Sequence, residues 1–215
     1  MAFALARRTV LGLALLAGLA PALHAEVDLR LFSPAFGIAS ASFKDSNGDS
    51  YNVNATTVEG DAVGLEARND KFPWLALGTA LFVRYDDITL NSTVVTGNHV
   101  SGTIAVTSAS YDLTSVAPAL LVVVYPAPHL EPLIPFVEAR VEVYEYADSG
   151  LVQPDFERYR PTFSVGVKGL PNETGYFWGA RIFGTKLGYS AEFDGLAVPD
   201  PVIFGLQVDW IGIQY

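Results

Sequence analysis

Within positions 133–146, LIPFVEARVEVYEY, hydrophobic and polar residues alternate one by one from Phe136 to Tyr144. The apolar side chains fall on one face, whereas the charged side chains of Glu138, Arg140 and Glu142 fall on the other. Because a period of two is the side-chain period of an extended chain, this stretch predicts a β-strand. Its two faces must meet two different environments, one apolar and one polar.

The same alternation recurs between Pro-, Asn- and Gly-containing connections and predicts eight strands. The connections are alternately long and short, as expected when one rim of an up-and-down meander carries short turns and the other carries long loops. The first two long connections are predicted as polar loops at 44–57 and 90–103. The strands are expected at 27–42, 58–68, 74–89, 104–125, 133–146, 159–170, 176–189 and 202–215.

The polar faces carry small residues and single charges instead of runs of Lys and Glu, which suits the crowded interior of a narrow barrel. Their charges nearly balance, and buried charges persist only when they are paired. We therefore predict an all-β fold, an eight-stranded antiparallel up-and-down transmembrane β-barrel with its apolar face against lipid. Its expected lumen charge network consists of Asp28, Arg30, Glu66, Arg68, Arg84, Glu138, Arg140, Glu142, Lys168, Arg181 and Asp209.

Aromatic residues recur near both ends of the predicted strands. At ~3.3 Å per residue and a ~45° tilt, the eleven steps from Trp74 to Tyr85 span about 25 Å, the height of the apolar band of such barrels. The alternative is that these residues form the core of a soluble β-sandwich or lipocalin-like barrel. The predicted aromatic girdle consists of Trp74, Tyr85, Phe136, Tyr146, Trp178, Tyr189 and Tyr215.

The amino-acid composition further limits the class of protein and its partners. Hydrophobic residues make up 50% of the chain and charged residues only 17%, with a formal net charge of −10 and no cysteine. Disulfides and thiolate metal sites are thereby excluded, and a nucleic-acid partner is not expected without a basic face. Arg7 and Arg8 precede an apolar run and a small-residue site ending at Ala25, which predicts a cleaved signal peptide at 1–25 and a barrel domain at 26–215.

These features together resemble the small outer-membrane barrels of Gram-negative bacteria, the OmpA-transmembrane and OmpW-like group. The resemblance implies an outer-membrane location, periplasmic termini and contact with outer-membrane lipid and lipopolysaccharide. It also implies recognition by the barrel-assembly machinery through the last strand, where Tyr215, Ile213 and Ile211 fit the pattern of that group. Upstream the parity changes, and a bulge near 211–212 would reconcile the two halves and point Asp209 inward.

Two motifs could carry chemistry. His99 and Ser101 resemble the His-x-Ser of outer-membrane lipid A deacylases, but Gly102 stands where that motif has Asn, and no carboxylate lies nearby in the sequence. Asp45, Asn47 and Asp49 have the one-three-five spacing of a calcium loop, but Ser50 and Thr56 replace its required Gly and Glu. We therefore predict no catalytic residues, metal or cofactor.

The function expected from the sequence is a non-enzymatic structural or surface-interaction role with a charge-paired, largely closed lumen. One alternative is a narrow channel for small or apolar molecules. The other is a lipid A-modifying barrel enzyme. Pore width depends on how the lumen side chains pack, so the sequence leaves these alternatives open.

Overall fold

The computed structural model describes residues 25–44, 50–96, 103–143, 145–146, 155–156, 159–186, 189–190, 192–193, 196–197 and 202–214. No helix in these ranges is long and apolar enough to cross a membrane. The predicted signal peptide lies outside them and stays a prediction. The strands are β1 (Ala25–Lys44), β2 (Ser50–Asn69), β3 (Leu75–Thr96), β4 (Thr103–Val124), β5 (Leu133–Val143), β6 (Glu145–Tyr146), β7 (Asp155–Phe156), β8 (Tyr159–Gly169), β9 (Tyr176–Lys186), β10 (Tyr189–Ser190), β11 (Glu192–Phe193), β12 (Leu196–Ala197) and β13 (Val202–Gln214).

The long strands pair into a closed ring. The order around it is β1, β2, β3, β4, β5, β8, β9 and β13, and β13 pairs again with β1. Every described pairing is antiparallel. The prediction of an all-β antiparallel fold is confirmed. The described residues nevertheless form more strands than the eight expected, because two-residue strands accompany the ring.

The first two hairpins extend further than the sequence pattern predicted. The β1–β2 ladder continues to Lys44 opposite Ser50, and the β3–β4 ladder continues to Thr96 opposite Thr103. Most of the predicted loops at 44–57 and 90–103 is therefore strand, and those predictions are wrong. Thr and Val favour strands, but residues 91–96 do not alternate in sequence. At 53–56 the alternation is inverted, with Val53 and Ala55 buried inside and Asn54 and Thr56 exposed.

The expected bulge in the last strand is present. Between Asp209 and Gly212, β13 advances three residues while β9 advances two, from Gly179 to Phe177. A second irregularity lies in β2, where the pairing with β3 shifts between Asp61 and Val63. A bulge exchanges the two faces of a strand, so the positions that face inward change parity along these strands.

The ring has an apolar outside and a largely charged inside. Along β5, Val137 and Val141 are 46% and 49% exposed, whereas Glu138 and Arg140 are 1% and 2% exposed. The interior wall formed by β3, β4 and the start of β5 is instead largely apolar, with clusters of Ala80, Phe82, Ala117, Ala119 and Leu121, and of Ala76, Val123, Tyr125, Ile134 and Phe136. The small alanines on this wall leave room for long charged side chains from the other strands.

Candidate functional site

Toward the extended hairpins, the interior contains a cluster of Arg84, Asp86 and Thr57. Thr57 on β2 lies directly opposite Asp86 on β3, so their side chains share the inner face. The Arg84 Nε donates to Asp86 Oδ1 at 2.7 Å, and the Thr57 hydroxyl donates to the same oxygen at 2.5 Å. All three side chains are buried. One cation and one hydroxyl therefore bind the Asp86 side chain.

Arg140 occupies the middle of the interior. It forms ion pairs with Glu59, across the ring on β2, and with Glu142 on its own strand. It also donates to the side-chain oxygen of Gln207 on β13 at 3.3 Å. The Thr162 hydroxyl donates to Glu142 at 3.1 Å. These contacts join four different strands through one guanidinium.

Glu138 is the next carboxylate toward the short turns. Arg181 on β9 donates to it, Arg30 on β1 lies 3.8 Å from the same carboxylate oxygen, and the Ser164 hydroxyl donates at 3.3 Å. The guanidinium groups of Arg30 and Arg181 and the Glu138 carboxylate together fill the ring interior at this height. Because Glu138 is 1% exposed, water does not reach it.

A final layer lies beside the short turns. Lys168 on β8 donates to Asp28 on β1, and the Tyr125 hydroxyl donates to Glu66. At the rim itself Arg68 pairs with Glu26 and stacks over the Tyr125 ring at 4.9 Å. Asp28 and Lys168 are buried, whereas Glu26, Glu66 and Arg68 are partly exposed, so this layer adjoins the rim.

Three phenylalanine rings lie between the cations and glycines of the wall. Arg140 faces Phe183 at 5.9 Å, Arg181 faces Phe136 at 4.9 Å, and Lys168 faces Phe177 at 4.4 Å. A Cβ added to Gly205, Gly166 or Gly212 would collide with the ring of Phe183, Phe136 or Phe177 respectively. Each stack therefore runs from glycine to aromatic ring to cation to carboxylate. Such stacks fill the ring interior with side chains that also satisfy one another's charges.

The structure brings most of the predicted lumen charge network together inside the ring. Glu66 and Arg68 are only partly buried, and Asp209 pairs through its backbone with Gly179 while its side chain lies outside the described part. The buried members are Asp28, Arg30, Arg84, Glu138, Arg140, Glu142, Lys168 and Arg181.

Glu59, Asp86, Arg160 and Gln207 are among the buried interior residues that sequence reasoning missed. Asp86 and Arg160 share strand parity with Arg84 and Thr162, so the alternation itself was a sufficient signal for both. Glu59 has the opposite parity to Glu66 and turns inward only because of the bulge between them. Gln207 likewise lies beyond the bulge of β13.

Four of the side chains predicted for the aromatic girdle lie in the described part of the chain. Trp74, Tyr85 and Trp178 project outward with about half of their surface exposed. Phe136 does not belong to the girdle, because it shares parity with Glu138 and packs inside against Tyr125. The side chains of Tyr146, Tyr189 and Tyr215 lie outside the described part.

The candidate chemical motifs fall outside the described ranges. These are His99 with Ser101, and the group of Asp45, Asn47 and Asp49. Within the described residues, no group of His, Asp or Glu side chains has an arrangement that could hold a metal ion. The chemistry of the described interior is that of paired charges.

No protein-family model matches this chain, and no curated protein sequence matches it. Among solved structures, the chain is similar to LpxR from Salmonella typhimurium, with 10% sequence identity and a TM-score of 0.27. The match covers 87% of this chain and 99% of the other. A superposition this loose indicates neither a family nor an activity.

Proposed function

We propose that this chain is an eight-stranded outer-membrane β-barrel with a closed lumen, acting as a structural or surface-interaction protein and not as an enzyme. One observation carries the proposal. The closed ring has its charges inside and its apolar side chains outside. That arrangement is the inverse of a water-soluble β-barrel and is the one a bilayer requires.

The outer surface supports the membrane location. Phe36, Ile38, Leu120, Phe163, Ile182 and Phe204 are each at least 60% exposed. A contiguous apolar surface of this kind is rare on soluble monomers. A closed ring also pairs the backbone groups of its strands, which hydrocarbon cannot hydrogen-bond.

The two rims support an orientation. The connections at 70–74, 125–132 and 170–175 lie at one rim, where Glu26 pairs with Arg68 and Ile213 pairs with Tyr176. Short turns and chain ends together mark the periplasmic rim of outer-membrane barrels. In this orientation the extended β1–β2 and β3–β4 hairpins project from the cell surface, and residues 1–25 act as the export signal.

The packed interior supports a structural role over transport. Arg84, Arg140, Phe82 and Gln207 lie in the middle of the ring with relative exposures below 2%. A path for hydrophilic solutes would have to break ion pairs that are already desolvated, and a buried charge without a partner costs several kcal/mol. The barrel then serves as a rigid platform for the projecting hairpins.

The proposal is tested by fractionation and by conductance. The mature chain should cofractionate with outer membrane and migrate differently on gels before and after boiling. Reconstituted in planar bilayers, it should give no steady conductance under conditions where a reference porin conducts. Recovery as a soluble periplasmic monomer would refute the membrane location, whereas large, stable currents would refute the closed lumen and favour the channel alternative.

A further inference from the structure

A small cavity lies in the interior beside the short-turn rim. Its volume is about 10 Å³, and it is lined by Asp28, Arg30, Glu66, Tyr125, Phe136, Lys168, Phe177 and Arg181. About 10–15 Å³ is the smallest cavity that holds one water molecule, provided that two to four polar groups are in reach. The polar lining meets that condition, and the size excludes an organic ligand.

Two of the lining groups retain hydrogen-bonding capacity. The Lys168 ammonium has three N–H donors, of which one is directed to Asp28, and the side chain is 4% exposed. Glu66 accepts the Tyr125 hydroxyl, but a carboxylate offers about four lone-pair sites. We infer that one water molecule accepts a hydrogen bond from Lys168 and donates one to Glu66. This water joins the Asp28–Lys168 pair to the Tyr125–Glu66 pair.

The cavity opens in one direction. Tyr125 directly follows β4 and Phe177 is the second residue of β9, so this end adjoins the short turns. At the other end Arg181 and Arg30 converge on Glu138, which is 1% exposed. The cavity is therefore a blind vestibule that exchanges water with the short-turn side alone. This follows from interior packing and holds whether or not the ring lies in a membrane.

The water is tested directly on the unaltered protein. A high-resolution crystal structure, or water-selective NMR of side-chain protons, should place one ordered water within hydrogen-bond reach of Lys168 Nζ and the Glu66 carboxylate. The inference is overturned if protein groups alone satisfy the Lys168 ammonium and no water lies between the two side chains.

The single opening is tested by thiol accessibility, because the chain contains no cysteine. Glu66→Cys places a thiol at the entrance, and the matched variant Ser164→Cys places one beside Glu138, beyond the closure. In folded protein, a small cationic methanethiosulfonate should label Glu66→Cys and leave Ser164→Cys unlabelled until the chain is unfolded. Labelling of both would mean an open path, and labelling of neither would mean a sealed cavity; either result overturns the vestibule. If Glu66→Cys does not fold, the water position in the unaltered protein decides the question.

Discussion

The guanidinium carbon of Arg140, on β5, lies 4.2 Å from the centre of the Phe82 ring, on β3. The same guanidinium pairs at its edges with Glu59 and Glu142. The plane of the Arg140 guanidinium thus stacks on an aromatic ring while its N–H groups pair with carboxylates. A planar guanidinium permits both contacts at once, whereas an ammonium does not. Both carboxylates are almost fully buried, so this cation replaces part of the solvation that water would give them.

Arg140→Ala should therefore lower the free energy of unfolding by about 3–5 kcal/mol, the cost of breaking a buried ion pair from one side. It should not produce a stable pore, because Phe82 and Phe183 remain in place. Urea unfolding followed by gel mobility measures the first effect, and planar-bilayer recording measures the second.

Arg68→Ala is the matched control for this substitution. Arg68 pairs with Glu26 at the rim, where the Glu26 side chain is 32% exposed. Pairs in contact with water contribute about 0–1 kcal/mol. Equal losses for Arg68→Ala and Arg140→Ala would contradict the assignment of Arg140 to a desolvated interior.

Asp86 and Asp87 test the two faces of one strand. Asp86 is 2% exposed and accepts hydrogen bonds from Arg84 and Thr57, whereas Asp87 is exposed. Asp86→Ala should cost about 3–5 kcal/mol by leaving a buried guanidinium without its carboxylate. Asp87→Ala should stay within about 0.5 kcal/mol. Urea unfolding of both variants makes the comparison, and a larger loss for Asp87→Ala would reverse the assignment of inside and outside.

Strand β5 shows which features of the interior the sequence pattern could predict. Its alternation runs without interruption from Val137 to Val143, so parity alone placed Glu138, Arg140 and Glu142 on one face. The identity of their partners was not predictable in the same way. Arg140 meets Glu59, 81 positions earlier in the chain, because the stagger of the closed ring brings β2 and β5 face to face inside.

Glu59 and the extended hairpins show where the pattern failed. A bulge between Asp61 and Val63 exchanges the faces of β2. The bulge of β13 showed in the sequence as a change of parity over several apolar residues, whereas Val58 is the one clear apolar mark before the bulge of β2. The extension of β3 to Thr96 was missed for a different reason. Residues 91–96, NSTVVT, do not alternate, and backbone pairing persists there without a period-two signal in the sequence.

Gly205 and Gly184 test the packing of the aromatic rings. A Cβ on Gly205 would collide with the backbone oxygen of Phe36 and with the Phe183 ring, whereas a Cβ on Gly184 would lie 3.3 Å from the outward ring of Phe204. Gly205→Ala should cost about 1–3 kcal/mol through overpacking. Gly184→Ala should cost less, since the Phe204 ring is exposed and can move. Similar urea midpoints for the two variants would mean that Phe183 does not pack closely on the glycine wall.

Val141 tests the lipid-facing assignment, which separates the membrane barrel from a soluble one. Its side chain is 49% exposed, and the directly paired Leu120 is 71% exposed, so a charge here would face the apolar surroundings of the ring. Val141→Arg should destabilise the protein in lipid vesicles by about 2–4 kcal/mol if the site lies near the bilayer midplane, because hydrocarbon cannot solvate the guanidinium. Glu173→Arg, in the exposed turn at 170–175, is the control and should leave the urea midpoint in vesicles unchanged. If Val141→Arg is as silent as Glu173→Arg, and the variant remains folded without detergent or lipid, then the apolar face does not meet a bilayer.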